Sequence, residues 1–510
     1  MQAASTGAVG WPAHERRAVV GAALAMFAVH ASTATWNVIT LPAQQQFDAG
    51  PQGELLLRQA ADVAGLLAVP LVGVLGGRIP AFRLTLAAAA LMLAGSALMV
   101  SATALGWLLL GMGLTSVGRT IVTVMGMSVV GSSVADPRRR ATAFAAVGMS
   151  APLAFIMSPL TAALLASAGG WRLVSVIWFA GALVVLGSAG WLRWAASPPS
   201  LERREPWTPL LAGVALVCLV QWLGAIVTQG ALSGASAAWL GGLVAAGGGW
   251  WLLVKLLRRP SLDGRTLRVP GLVAVLLVAM LAQCGDLWFY AAAFAVHVQR
   301  DTPLQVGLAL LPPQLASVFG AATAGWLARR HGLRMSGTLL LGLLAIALFA
   351  SCGQTVEGSV WFTVVVACAY GLGEAGGGVC ITQAVMATAP AGLESQVSSC
   401  RSAATGVGNA LATLLITSSV GFTMGQSMRQ RAQEAGVAPA RTEQLVEVVH
   451  GNVPNSEAAR RLHLDPAALE QLRQVRREVI VDGYRAHGLV SGSVIALATV
   501  GFWIVRRRKD

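Results

Sequence analysis

Charge is what this sequence lacks most. Asp, Glu, Lys and Arg make up only 11% of its 510 residues, where soluble domains carry about a quarter. With 55% hydrophobic residues and a mean hydropathy of +0.66, the chain is not an ordinary soluble protein. Cysteine is also scarce: Cys218, Cys284, Cys352, Cys368, Cys380 and Cys400 fall in or beside apolar stretches, with no C-x-x-C pair. That pattern predicts small buried or lipid-facing side chains and excludes a disulfide framework or a zinc site. The seven histidines show no ligand spacing either. No nucleophile–base pair, metal spacing or phosphate-binding loop is present, so an enzyme is not expected and no cofactor is implied. Acidic residues are few, 22 against 36 basic. Such an excess can signal nucleic acid, but in a membrane chain it marks loops on the cytoplasmic side.

Long apolar runs are abundant. Stretches of about 20 residues, each enough to cross a bilayer as a helix, lie near 18–41, 55–77, 84–103, 105–132, 142–167, 173–195, 208–228, 235–256, 270–294, 305–328, 336–352, 359–386, 402–424 and 488–505. The first begins close to the N-terminus and is long enough to remain as an anchor. Fourteen spans put both termini on one side, and nearly all short-loop basic residues then share that side, with Arg172 and Arg300 the exceptions. The sequence thus predicts a multi-pass membrane protein with both termini cytoplasmic. A polar segment, about 426–486, is expected outside as a solvated cap, with Pro466–Leu472 patterned as a short amphipathic helix.

A basic run recurs in matching places. Gly325-Trp326-Leu327-Ala328-Arg329-Arg330-His331-Gly332-Leu333-Arg334 follows the second apolar segment of the later half. A fainter copy, Gly73 through Arg78 to Arg83, follows the second segment of the earlier half. Such internal repetition is typical of transporters built from related bundles.

With the spans placed, the chain resembles the major facilitator superfamily, in particular its fourteen-helix drug:proton antiporter branch. The loop pattern G-x-L-x-D-R-x-G-x-R is met at Gly325, Leu327, Arg330, Gly332 and Arg334, and more loosely at Gly73, Leu75, Arg78 and Arg83. Thr302–Pro312 is similar to the branch's tenth-helix entry, and Thr35–Pro42 to its first-helix signature. The Gly170-Trp171-Arg172 turn and Val481–Arg485 also fit. The antiporter motif of the fifth helix is represented by Gly148, Ser158 and Pro159, with small residues replacing glycines; ordinary small-residue packing reads the same positions almost as well.

The resemblance implies an all-α polytopic fold: a six-helix bundle over 1–195, two inserted helices and linkers over 196–268, and a second six-helix bundle over 269–510. It also implies export of small organic compounds, drugs or xenobiotics, by proton antiport. Its partners would be the small-molecule substrate, protons and the lipid bilayer, with no nucleic acid. A monomer is expected, with periplasmic adaptor proteins as a further partner class. Export of an endogenous metabolite such as a siderophore or antibiotic, or a non-transporting sensor, are the alternatives. The sequence departs from the branch where Gly77 and Arg329 replace the loop aspartate and Thr33 replaces a first-helix acid. The fourth-helix arginine is not at its usual spacing before Gly111-Met112-Gly113.

Ionisable groups inside hydrocarbon default to functional candidates. Here they are His30, Arg58, Asp62, Arg119, Asp286 and Glu374. A carboxylate that can be neutral when protonated and charged when hydrated is what proton coupling requires. Glu374 and Asp62 are the candidate proton sites, and Arg119 a counter-ion or anion binder. Arg58 and Asp62, four residues apart, can also simply neutralise each other, and Asp286 can be hydrated near the outer face. Trp36 and Trp288 are candidate cavity walls, although tryptophan also anchors at membrane interfaces.

Overall fold

The structure, a computed structural model, describes residues 11–35, 43, 46–47, 50–193, 205–262, 264–285, 303–434, 438, 442–446 and 466–507. Trp36, Asp286 and Trp288 lie outside the described residues, as does the side chain of Arg58. A bilayer offers no water to a free N–H or C=O, so each apolar run closes its hydrogen bonds within itself. The result is helical: α1 (Ala13–Ala34), α2 (Gly50–Gly76), α3 (Ala81–Val100), α4 (Leu105–Ser133), α5 (Pro137–Gly169), α6 (Ser175–Leu192), α7 (Trp207–Gln229) and α8 (Gly234–Leu256). Then follow α9 (Leu272–Ala282), α10 (303–331), α11 (333–351), α12 (Val360–Met386), α13 (Glu394–Glu434) and α14 (Pro466–Arg507). The chain adopts the expected all-α, polytopic, fourteen-helix architecture.

Local chemistry sets the ends. Asp136 caps α5 by accepting from the Arg138 N–H at 3.0 Å, and Pro137 occupies the first helical position, where its missing donor is harmless. α5 bends at Met149. α10 and α11 run on through one continuous turn, bent at Gly332 with φ 79° and ψ 162°, backbone angles that a side chain disfavours. Arg172 closes the end of α3 by donating to the carbonyls of Val100 (3.2 Å) and Ala102 (2.8 Å).

Helices α1–α6 pack among themselves, and α9–α14 do likewise. α7 lies against both α2 and α13, along one edge of the seam between the two sets, and α8 packs on α7 with its flanks largely exposed. Alternating helix direction gathers Arg16, Arg17, Arg78, Arg83, Arg138, Arg139, Arg140, Arg258, Arg259, Arg329 and Arg330 at one end of the molecule, called here the basic face.

The two bundles meet through small residues in the half nearest that face. Ser395 of α13 donates to the Gly73 carbonyl of α2 at 2.8 Å, and Ser398 donates to the Val124 carbonyl of α4 at 2.9 Å. A side chain at Gly148 would run into Val379 of α12, and one at Gly131 into Met386, 2.8 Å away. A Cβ at Gly325 would sit 2.6 Å from the Ala145 Cβ.

One expectation is corrected. The polar segment 426–486 is not mainly a separate cap: α13 continues to Glu434, and α14 begins at Pro466 and runs unbroken into the last span. The extensions hold each other by charge. Arg431 pairs with Glu478 and with Asp482 (3.2 Å), and Ser427 donates to Asp482 at 2.5 Å. Met428, Val446, Leu472 and Val479 form a small apolar core beneath them. All six cysteines are free thiols.

Close approach predicts a specific sensitivity. Gly325→Val should destabilise the fold by about 1–3 kcal/mol, the usual range for overpacking. Gly342→Val, where nothing lies within 4 Å, should leave stability unchanged. Thermal unfolding of the two purified variants compares them directly.

Candidate functional site

Four ionisable side chains from both bundles lie within electrostatic reach of one another along the seam. Cross-helix contacts set their depth. Met26 of α1 lies beside Gly126 of α4, Ser116 of α4 donates to the Ala61 carbonyl of α2 at 2.5 Å, and Ser398 of α13 reaches Val124. These contacts bring His30, Asp62, Arg119 and Arg401 to neighbouring levels. Arg119 is within electrostatic reach of Asp62, and His30 of both Arg119 and Arg401. Asp62 keeps solvent access although it lies within the bundle.

The two guanidiniums are under-compensated. Arg119 Nε and Nη1 and Arg401 Nε are fully buried without a hydrogen-bond partner among the described residues. Asp62 offsets Arg119, while no described acid stands near Arg401. Buried charge without a partner is expensive, and an observed instance points to function.

Arg401 is the residue that sequence reading missed. The last apolar run of that region was expected to start at 402, which left Arg401 at the membrane edge. α13 begins at Glu394 instead, so Arg401 lies two turns inside the helix. The signal was the small polar stretch Ser395–Ser402, which hydropathy scores as loop and which in fact packs against α2 and α4.

Glu374 occupies the middle of α12 and is exposed, and Gly378 one turn on faces open space. Glycines on the other sides of the same helix are close-packed: a Cβ at Gly376 would lie 2.9 Å from the Leu340 side chain, and one at Gly377 2.8 Å from that of Leu341. Glu374 therefore points away from the packed side of its helix. Gly148 is at the seam, as described. Ser158 is buried within α5, where Pro159 interrupts the hydrogen-bond ladder.

The loop runs have separate tasks for separate residues. Gly73 and Gly325 are both points of contact between bundles. Arg78, with glycine and not aspartate beside it, donates to the Ser261 hydroxyl at 3.0 Å. Ser261 in turn donates its N–H to the Glu205 carboxylate at 2.9 Å, so the α2–α3 turn is tied to the ends of α7 and α8. Burial pushes the Glu205 carboxyl up, but hydrogen bonds from Thr208, Ser261 and Trp207 outweigh it and hold it below the usual range. Stability from this network is present above the ordinary carboxylate pKa and is lost as pH falls through the lowered one. In the second run, Arg330 lies over the Trp326 ring, 5.6 Å from its centroid, and Arg334 lies 3.4 Å over the Trp503 ring of α14.

Two helix bundles meeting through glycine-containing loop repeats, with ionisable groups in the seam, define a recognisable architecture, and residues 20–413 match the Major Facilitator Superfamily. The chain belongs to that superfamily. It is thus a membrane-embedded secondary transporter of small molecules. Among curated relatives it is similar to the methyl viologen resistance protein SmvA of Salmonella typhimurium, 25% identical over 447 residues, covering 85% of this chain and 86% of that one. Its fold is similar to the human organic anion transporter MFSD10, with a TM-score of 0.61 at 12% identity, covering 96% of this chain and 99% of the other. It is also similar to a bacterial homologue of the iron transporter ferroportin in an outward-facing state, with a TM-score of 0.59 at 14% identity, covering 97% and 99%.

An uncompensated guanidinium in this major facilitator should be kept for transport at the expense of stability. On insertion scales an arginine at mid-membrane costs about 2.5–3.5 kcal/mol. Arg401→Leu is therefore expected to raise the thermal midpoint while transport falls at least about tenfold, a stability–function trade-off. A variant that is both inactive and less stable would make Arg401 a structural pin instead.

Proposed function

We propose that this chain exports small organic compounds across a bacterial inner membrane in exchange for protons, with the basic face in the cytoplasm. The observation that carries this reading is the convergence of His30, Asp62, Arg119 and Arg401 from four helices of both bundles at the seam. Short loops rich in Lys and Arg stay cytoplasmic, which supports placing both termini there. The methyl viologen resistance of a relative that aligns over most of the chain supports a xenobiotic substrate.

The domains of the proposal are a bundle over 1–195, the inserted pair within 196–268 and a bundle over 269–510, rocking about the seam. Ionised Asp62 neutralises Arg119. Once protonated, Asp62 leaves Arg119 and Arg401 as like charges on opposite bundles, and their repulsion favours separation at that level. A ligand shifts such an equilibrium only by binding one state better than the other, and here the proton does so by changing the charge across the seam. A cationic substrate is expelled by the same change. Glu374, exposed on α12, offers a second proton site. Gly73 and Gly325 of the loop runs, with Gly148 of α5, set how closely the cytoplasmic ends can shut.

A second reading, export of an anionic endogenous metabolite, is favoured by the one observation that Arg401 has no acidic counterpart among the described residues.

Everted membrane vesicles separate these readings. Adding a transported cation should dissipate a preset proton gradient, and Asp62→Asn and Glu374→Gln should each reduce that response at least about tenfold. Unchanged pH-driven export in both variants would refute the proton sites. A response only to organic anions would select the second reading.

A further inference from the structure

On the basic face, away from the seam cluster, a cavity of ≈ 630 Å³ opens between the two bundles. Arg138 and Arg139 of α5 line one wall, Arg329 and Arg330 of α10 the other, and Trp11 and Trp326 complete it. Four guanidiniums thus share one recess, two from each bundle. Among the described residues, acidic compensation is seen at one member: Arg139 meets Glu15 and Asp136, each at 3.5 Å. Arg330 leans on the Trp326 ring, and the side chains of Arg138 and Arg329 make no ion pair among the described residues. Gly325, Ala141 and Ala145 bring the two walls into contact directly below. Closing this face therefore presses like charges together, and a bound anion would remove that repulsion.

The surroundings select the anion. Leu315, Phe319 and Trp326 are all exposed along one flank of α10, at helical spacing, forming an apolar track that climbs from the membrane to the cavity. Tryptophans at the boundary and arginines above it suit a molecule with a phosphate head and acyl chains, since a planar guanidinium binds phosphate through paired hydrogen bonds. Basic recesses between helices on the cytoplasmic side attract anionic headgroups in the same way.

We propose that this cavity binds the phosphate of an anionic phospholipid headgroup, which bridges α5 and α10 and holds the basic face closed. The transporter is then most stable with that face shut when its cytoplasmic leaflet is anionic, whichever compound it carries. The lipid takes the place of the loop aspartate that Arg329 replaces.

The test uses the full chain in phosphatidylcholine nanodiscs with and without phosphatidylglycerol. Phosphatidylglycerol should raise the thermal midpoint of the wild type. At least half of that rise should vanish in Arg329→Gln/Arg330→Gln, while Arg258→Gln, which removes an exposed charge elsewhere on the same face, should keep it. Native mass spectrometry should show fewer retained phosphatidylglycerol molecules on Arg138→Gln than on the wild type, a readout that stands if the double variant fails to fold. An equal rise in the double variant would reduce the effect to general surface charge and overturn the proposal. No rise at all in the wild type would overturn it too. The full rise from inorganic phosphate in phosphatidylcholine discs would assign the cavity to a free anion, and the lipid reading would fail.

Discussion

Helices already in hydrocarbon gain almost nothing by hiding apolar surface from one another, because lipid tails are as apolar as leucine. What joins them is close backbone approach and the occasional hydrogen bond. In this transporter those contacts are concentrated at one end of the seam, where Gly73, Gly131, Gly148 and Gly325 face the opposite bundle and Ser395 and Ser398 donate across it. The contacts are shallow, since glycine leaves nothing to interdigitate. A seam made this way can separate and re-form without unpacking either bundle, as rocking about a central site requires.

On the proposed mechanism, charge supplies the bias that small-residue packing lacks. Arg119 and Arg401 stand on opposite bundles, and among the described residues Asp62 is the acid that offsets Arg119. A titratable group beside two fixed cations is a small lever on a large equilibrium. Moving a two-state balance from 1:99 to 99:1 takes about 5.5 kcal/mol, which neutralising one charge can approach only in a medium of low dielectric. On that mechanism, Arg401 is held inside the bundle for its charge at the seam.

Much of this could be read from the chain alone, for a physical reason. A bilayer imposes a nearly fixed apolar length, so hydropathy located the fourteen spans, and Gly73 and Gly325 of the loop runs stand at inter-bundle contacts while Gly332 faces open space. Hydropathy failed where helices outrun the membrane. α13 and α14 extend beyond it because Arg431, Glu478 and Asp482 satisfy one another, and polar residues that pair at long range look like loop in sequence. The same blindness placed Arg401 outside its helix. Partner identity was illegible too. Arg78 could be suspected of pinning a loop, but its acceptor, Ser261, is 183 residues away in a segment with no motif.

The departures from the family's loop pattern acquire a common sense when the two ends of the basic face are compared. An aspartate in the loop would supply an anion from the protein itself. Here Gly77 stands beside Arg78, which donates to the Ser261 hydroxyl, and Arg329 adds a positive charge opposite Arg138 and Arg139. On the lipid reading proposed above, the second change moves compensating charge off the chain and onto its environment. Closure of this face would then respond to bound anion, ionic strength and leaflet composition, whereas a protein-borne aspartate would make it nearly indifferent to them. Screening at physiological salt acts over about 8 Å, comparable to the width of such a recess. Salt alone would therefore soften the repulsion without directing it, and only a ligand bound to both walls could turn those four arginines from a wedge into a clasp.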